Sequence, residues 1–365
     1  MIAFLIVTLL QVSQPTAQQQ FDRLAARAAE ARKASRDTDA LRLYQAALKL
    51  NPSWTDGWWN VGSIFYERED FPAARDTLRK LVALDKKAVA AYALLGVCEY
   101  KVADYDAALE HLDTARSLGL PNNHPLGNAA LFFLALLLNR EGQHDAAAGL
   151  LLSAPENQVS FAVAQPAGSP TVLLAVGMTG LRIAKLPEEL TPEEKDLASQ
   201  VGRALAAPET QATALMRDVL AQHPEQPNLH YLYGMVLLHG DSGMAIEQFQ
   251  KELDRDPRHV PSLLAMVREM ERESRFQEAM PYAQRAVAAE PGHYAAHAIL
   301  GRVLVSMDRT EEGVRELEQA KQIEPGSPQI YFALASAYSK LGRADDAGKA
   351  RAEFLRLKSL GSAKQ

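Results

Sequence analysis

One cysteine, Cys98, stands in 365 residues, so no internal disulfide can form wherever the chain resides. It falls between Val97 and Glu99 with no activating motif beside it, and reads as a small buried hydrophobe rather than a reactive thiol. No run of Lys and Arg interrupts a formal net charge of −6, which argues against a dedicated nucleic-acid surface and a polybasic membrane patch. No uninterrupted apolar stretch is long enough for an integral membrane span. Met1 to Leu10 is too short, and the stretch from Thr171 meets charge at Arg182 and Lys185. A phosphate-binding glycine loop and a Gly-x-Ser-x-Gly elbow are both missing. Of nine histidines only His293 and His297 have a ligand-like spacing of four, and no glutamate follows His293 as a zinc protease requires. The acidic pairs Glu188-Glu189 and Asp345-Asp346 read as solvated faces or helix starts. With no catalytic, metal or cofactor signature, the sequence is not that of an enzyme.

What is there is periodicity in an ordered composition, 47% hydrophobic and 23% charged. Pro257, Pro291 and Pro325 recur every 34 residues, each closing a segment of small and large apolar residues. A self-similar period of about 34 with helical patterning marks a helical solenoid, whose units bury surface only against their neighbours. Between Tyr294 and Pro325, the residues His297, Leu300, Gly301 and Leu304 fall at spacings of three and four, one face of a first helix. Gly313, Leu317 and Ala320 form the stripe of a second. Asp308, Arg309 and Thr310 supply a short polar break that favours an antiparallel hairpin. The closing proline cannot continue the second helix, so the next pair begins there. Gly301 lets two helix axes approach closely, as do Ala47, Ala286 and Ala320 on second helices.

The pattern resembles the tetratricopeptide repeat, whose signature is a large residue, two spacers, leucine and glycine, then an aromatic, alanine, an aromatic and a closing proline. One copy reads Trp58-Trp59-Asn60-Val61-Gly62, continuing through Phe65, Ala74, Leu78 and Leu81. Others read Tyr92-Ala93-Leu94-Leu95-Gly96 with Ala108 and Ala115, and Tyr331-Phe332-Ala333-Leu334-Ala335 with Tyr338 and Ala347. The resemblance implies an all-α fold, a right-handed α-solenoid of about eight to nine helix pairs interrupted by an irregular segment. The expected arrays are residues 21–154 and 191–361.

Two segments stand outside the register. Met1 to Leu10 is nearly all apolar and Gln11 to Gln20 turns polar, so residues 1–17 read as a secretory signal peptide cut after Ala17. That reading places the mature protein outside the cytoplasm, secreted or periplasmic. Residues 155–190 are punctuated by Pro155, Pro166, Pro170 and Pro187, with one helix candidate from Thr171 to Leu186 that contains Gly177 and Gly180. Thr191-Pro192-Glu193-Glu194 opens a new helix with a cap, a first-turn proline and a reciprocal glutamate. Repeats supply helices in pairs and the flanking units look complete, so the helix over 171–186 is expected to lack a partner. It either breaks the stack or lies across it, bending the solenoid into two arms or occupying part of the groove.

In tetratricopeptide proteins, residues five, nine and twelve of each first helix line a concave groove that holds peptides, and the resemblance implies the same here. The stripe carries Trp59, Ser63 and Tyr66, then Ala93, Val97 and Tyr100, and later Tyr231, Met235 and Leu238. Trp59, Tyr66, Tyr100 and Tyr231 are the candidate partner-binding residues, unless the groove is closed by packing on itself or by the inserted helix. One subfamily clamps a terminal carboxylate with Lys, Arg and Asn. Asn60 stands at a matching position, but Ala25, Ala90 and Leu94 fill the basic ones, so no such clamp is expected. The expected partner is a protein or extended peptide, and the expected function a non-catalytic binding scaffold. The alternative is a structural subunit of a cell-envelope or secretion assembly, held by its outer faces.

Overall fold

The computed structural model describes residues 16–121, 124–152, 170–238 and 240–362. Residues 1–15 of the expected leader, and 153–169 of the irregular segment, lie outside that set. Among the described residues there are nineteen α-helices and no strand. The chain divides into two units, 1–167 and 168–365. The first holds four hairpins: α1 (Ala17–Lys33) with α2 (Asp37–Leu50), α3 (Thr55–Glu67) with α4 (Phe71–Leu84), α5 (Val89–Lys101) with α6 (Tyr105–Ser117), and α7 (Pro125–Arg140) with α8 (His144–Leu152). The second opens with α9 (Pro170–Gly180), α10 (Pro192–Ala206) and α11 (Glu209–Gln222). Four hairpins follow: α12 (Leu229–Leu237) with α13 (Ser242–Arg255), α14 (Val260–Arg272) with α15 (Phe276–Ala289), α16 (Tyr294–Ser306) with α17 (Thr310–Ile323), and α18 (Pro328–Lys340) with α19 (Ala344–Ser362). Each unit is an all-α stack of repeats.

Six of the hairpins are closed in the same way. Ser35, Glu69 and Ala103, and again Ser274, Asp308 and Gly342, take a left-handed conformation at the end of a first helix, with φ between 54° and 72°. The next residue then bonds back five positions, Asp70 N–H to the Phe65 carbonyl and Asp104 N–H to that of Glu99, both at 2.9 Å. A residue with a Cβ is strained at such a φ, and glycine is not. Ala103 is exposed, so Ala103→Gly is expected to stabilise the first unit by about 0.5–1 kcal/mol after the entropy of the unfolded glycine is set against the relief. Urea unfolding should show a higher midpoint with an unchanged slope.

Within a hairpin, glycine in the first helix faces a large residue in the second. A Cβ built on Gly62, Gly96 or Gly301 would lie 2.5–2.8 Å from the side chain of Leu78, Leu112 or Leu317. Each of these leucines is fully buried, a contribution of about 1.5–3 kcal/mol apiece. The signature's large residue does more than fill space. Trp58 Nε1 donates to the Pro52 carbonyl at 2.8 Å, and the Tyr331 hydroxyl to that of Pro325 at 3.1 Å. His297 Nε2 lies 2.9 Å from the Pro291 carbonyl. The closing proline of one repeat is thus tied to the first helix of the next. Ala286 and Ala320, on second helices, are fully buried. At the corresponding place in α19 stands Phe354, its ring 5.6 Å from Phe332.

The segment 155–190 requires a correction. Its helix is α9, which ends at Gly180, and it has a partner. A Cβ on Gly177 would lie 1.7 Å from the Ala198 carbonyl oxygen, and one on Gly202 would lie 1.8 Å from that of Leu173. The backbones of α9 and α10 therefore touch, with Val172, Ala175, Val176 and Met178 buried on one side and Leu197, Ala198 and Val201 on the other. Arg182, at φ 57°, turns the chain away. The expected cap of α10 forms: Thr191 Oγ1 accepts the Glu194 N–H at 3.2 Å, and the Glu194 carboxylate accepts the Thr191 N–H at 2.9 Å. At the other end of the chain, Thr16 caps α1 by the same reciprocal bonds with Gln19. A cut after Ala17 would remove that cap.

Candidate functional site

In the first unit the stripe expected to line the groove is only partly open. Trp59 and Tyr66 on α3 are half-buried, and Tyr66 lies 5.9 Å from Phe71. Burial pushes the Tyr66 phenol above its ordinary range, with the Cys98 thiolate charge adding to the rise. On α5 the stripe is closed. Every residue from 91 to 100 is buried. Tyr100 is 9% exposed, its ring 4.4 Å from Phe133 and 5.4 Å from Tyr105. The cause is α7, whose residues 129–139 are apolar except for Asn139 and buried apart from Leu131. A helix apolar on all sides must be covered on all sides. Phe133 therefore fills the space into which Tyr100 was expected to point, and Tyr100 serves the core.

Tyr231, in the second unit, is half-buried, its ring centre 5.4 Å from that of His259 in an edge-on arrangement. It belongs to a polar network that pins four elements together. Asn228 takes φ 68° before α12 and gives its side-chain amide to the Leu181 carbonyl at 3.2 Å. Its backbone N–H and that of Tyr231 both reach the Glu252 carboxylate, at 2.9 and 3.3 Å. His259 Nε2 lies 2.7 Å from Asn228 Oδ1, while Nδ1 accepts the Ser262 N–H at 3.3 Å. Only a neutral imidazole satisfies both contacts. Burial accordingly pushes His259 below its ordinary range.

Further along the second unit the stripe opens into a hollow. A cavity of about 630 Å³ is lined by Glu271 of α14, Arg302, Val305 and Ser306 of α16, Gln329, Phe332 and Ser336 of α18, and Phe354 of α19. Phe332 is 63% exposed, the highest value for a large apolar side chain among the described residues. Burying that ring under a partner would remove substantial apolar surface from water. Phe332 was not among the sequence candidates, yet it stands one 34-residue period after Ala298, in the stripe position of Trp59. Extending that stripe to the last repeat would have found it.

The remaining titratable clusters are structural. Glu99 is fully buried on α5, where the equivalent residue one repeat earlier is Phe65. Arg79 of α4 donates Nε and Nη2 to one of its oxygens at 3.0 and 2.7 Å, and His111 Nδ1 of α6 meets the other at 2.6 Å. The bond to Glu99 raises His111 above its ordinary range. Burial, with Glu99 alongside, pushes the Cys98 thiol up to about 12, so thiolate is scarce at neutral pH. The ring nitrogens of His297 face Glu316 at 2.7 Å and the Pro291 carbonyl at 2.9 Å, leaving neither for a metal. Among the described residues no group of three or more His, Cys, Asp or Glu could hold a metal ion. No described helix is long and apolar enough to cross a membrane.

These features define a helical-hairpin repeat protein. The sequence profile of the tetratricopeptide repeat matches residues 25–89, 60–118 and 94–158. The profile of the cilia and flagella-associated protein 70 middle TPR-like domain matches residues 195–358. The chain belongs to the tetratricopeptide repeat family, and its class of function is that of a protein-binding scaffold. Over 108 residues it is 30% identical to the inactive TPR repeat-containing thioredoxin TTL3 of Arabidopsis thaliana, a match over 30% of this chain and 15% of that protein. The chain thus spans a small part of the curated relative. Among solved structures, the chain is similar to those of MamA. MamA 41-end from Desulfovibrio magneticus RS-1 is 20% identical, with a TM-score of 0.40, over 47% of this chain and 97% of that one. A MamA RS-1 ArsTM double mutant is 18% identical, with a TM-score of 0.42, over 47% and 98%.

Proposed function

We propose that this protein is a non-catalytic scaffold that works outside the cytoplasm and seats an extended segment of a partner protein on the concave face of its second unit. The observation that carries the reading is Phe332, an exposed ring lining a cavity of about 630 Å³ on the face that repeats of this family present to partners. Exposed aromatic anchors beside a preformed hollow are where interface binding energy concentrates. Export rests on the apolar Met1 to Leu10 and the polar turn that follows it.

Selection of random displayed decapeptides on the purified protein is expected to yield binders. Phe332→Ala should weaken their affinity about 30-fold, equivalent to ~2 kcal/mol. The ring is exposed, so the variant should unfold at the wild-type temperature. Equal affinity for both proteins would remove the groove from the account. Export is read separately by fusing residues 1–25 to alkaline phosphatase: activity in cells supports it, and an inactive full-length fusion overturns it.

A further inference from the structure

Among the described residues of the first unit, the large apolar side chains that stand exposed are Leu50, Leu84 and Leu118, at 41%, 49% and 40%. They are one 34-residue period apart, at the ends of α2, α4 and α6. In a stack of hairpins, second helices end and first helices begin along one edge, so the three leucines form a row there. Packing of the repeat does not demand a leucine at this position, because Arg255 and Ala289 occupy it in the second unit. The charges along the row are unspent as well. Asp85, Lys86 and Lys87 follow Leu84 directly, and all three are exposed. Asp85 accepts the Lys87 backbone N–H at 2.8 Å, but no ion pair among the described residues holds any of the three. Lys49, beside Leu50, and Asp56, at the start of α3, are in no ion pair either.

We propose that this edge binds a second copy of the chain, in a two-fold dimer with the two rows antiparallel. An evenly spaced row of three maps onto itself when reversed, so Leu84 meets its own copy at the axis and Leu50 meets the second copy's Leu118. A two-fold interface requires this self-complementarity. The loop at the axis has it in charge too: Asp85 of one copy faces Lys86 and Lys87 of the other, and the same contact recurs across the axis. An anionic lipid surface is a poorer match, because Asp56 and Asp85 nearly balance Lys49, Lys86 and Lys87. The contact is small, so a dissociation constant of about 10–100 µM is expected. It lies on the first unit and does not depend on the partner seat proposed above.

Sedimentation equilibrium of the full chain from about 1 to 300 µM should show the mass rising from monomer towards dimer. Leu84→Lys brings two ammonium groups together at the axis and should weaken the dimer at least tenfold. Because Leu84 is exposed, an unchanged thermal midpoint shows that the fold is intact. Asp85→Lys makes the loop wholly basic, and Lys86→Asp with Lys87→Asp makes it wholly acidic. Each of these variants alone should dimerise about tenfold more weakly than the wild type. Their equimolar mixture should instead form a mixed dimer about tenfold tighter than the wild type, a gain that shrinks as salt is raised. A monomer at every concentration overturns the proposal. So does a dimer that Leu84→Lys leaves intact, which would place the contact on another surface. A mixture that behaves as the average of its two components would show that the loops do not meet, and would overturn the two-fold arrangement.

Discussion

Gly177→Ala is expected to destabilise the second unit by roughly 3–5 kcal/mol, far beyond the usual effect of adding one methyl group to a helix. Alanine favours helix over glycine by about 1 kcal/mol when nothing is in the way. Here the new Cβ would stand 1.7 Å from the Ala198 carbonyl oxygen and 2.9 Å from the Gly202 nitrogen. Both are backbone atoms of α10 that no rotamer change can move. The helices must separate, and the buried contacts of Val172, Met178 and Val201 loosen together. The protein carries its own probes for this experiment. All three tryptophans, Trp54, Trp58 and Trp59, lie in the first unit. Gly177→Ala should move the far-ultraviolet circular dichroism transition more than the tryptophan fluorescence transition. Gly348→Ala is the control: no atom lies within 4 Å of its Cβ position, and the variant should be neutral or more stable. Equal behaviour of the two variants would mean that α9 and α10 do not touch through their backbones.

Arg79→Met is expected to cost the first unit about 2–4 kcal/mol, because it leaves the fully buried Glu99 carboxylate with His111 as its sole cationic partner. The double variant Arg79→Met with Glu99→Leu should recover most of the loss, since an apolar side chain then stands where Phe65, Leu304 and Tyr338 stand in other repeats. The pH response of the wild type follows from the same site. His111 is raised above the 6.5 of free imidazole, chiefly by its bond to Glu99. Its contribution is fully present below pH 6.5 and is lost as pH rises through the raised value. His259 is lowered by burial, so its contribution has the opposite sign: present above pH 6.5 and lost as pH falls through the depressed value. Acidification from pH 8 to 6 should strengthen the tryptophan-reported unit through His111, and Arg79→Met should steepen that dependence. Replacing His111 with Gln should flatten it. A fluorescence midpoint that does not change with pH in the wild type or in Arg79→Met would exclude an ionised His111 from the fold.

How far these features could be read from the chain differs by kind. The repeat, its hairpins and the capping of α10 were legible because they are local: a proline every 34 residues, stripes at three and four, and a Thr-Pro-Glu-Glu start. The pairing of α9 with α10 was not, because it depends on two glycines, Gly177 and Gly202, that share no repeat register and meet only in space. Counting helices in twos assigned α10 to α11 and left α9 alone. Tyr100 was misjudged for a related reason. Its own helix looked like any other first helix, and what covers it is Phe133 of α7, whose burial on every side was visible in its sequence but whose neighbour was not. Glu99 was hidden by its charge, since a glutamate at a core position reads as surface until Arg79 and His111 are seen around it. Trp59 and Tyr66 remain half-open, and Phe332 shows that the same stripe, followed to the last repeat, leads to an open hollow.

Phe354 carries a lesson for anyone wishing to lengthen the molecule. In α15 and α17 the matching residue is a buried alanine, and the following helix nestles against it. A benzyl group there props away any newcomer while leaning over Phe332. Grafting extra modules after α19 would therefore first demand trimming that one side chain, and the same edit would strip a wall from the hollow where a guest is to lodge. If the proposed partner seat is right, array length and partner affinity depend on one side chain.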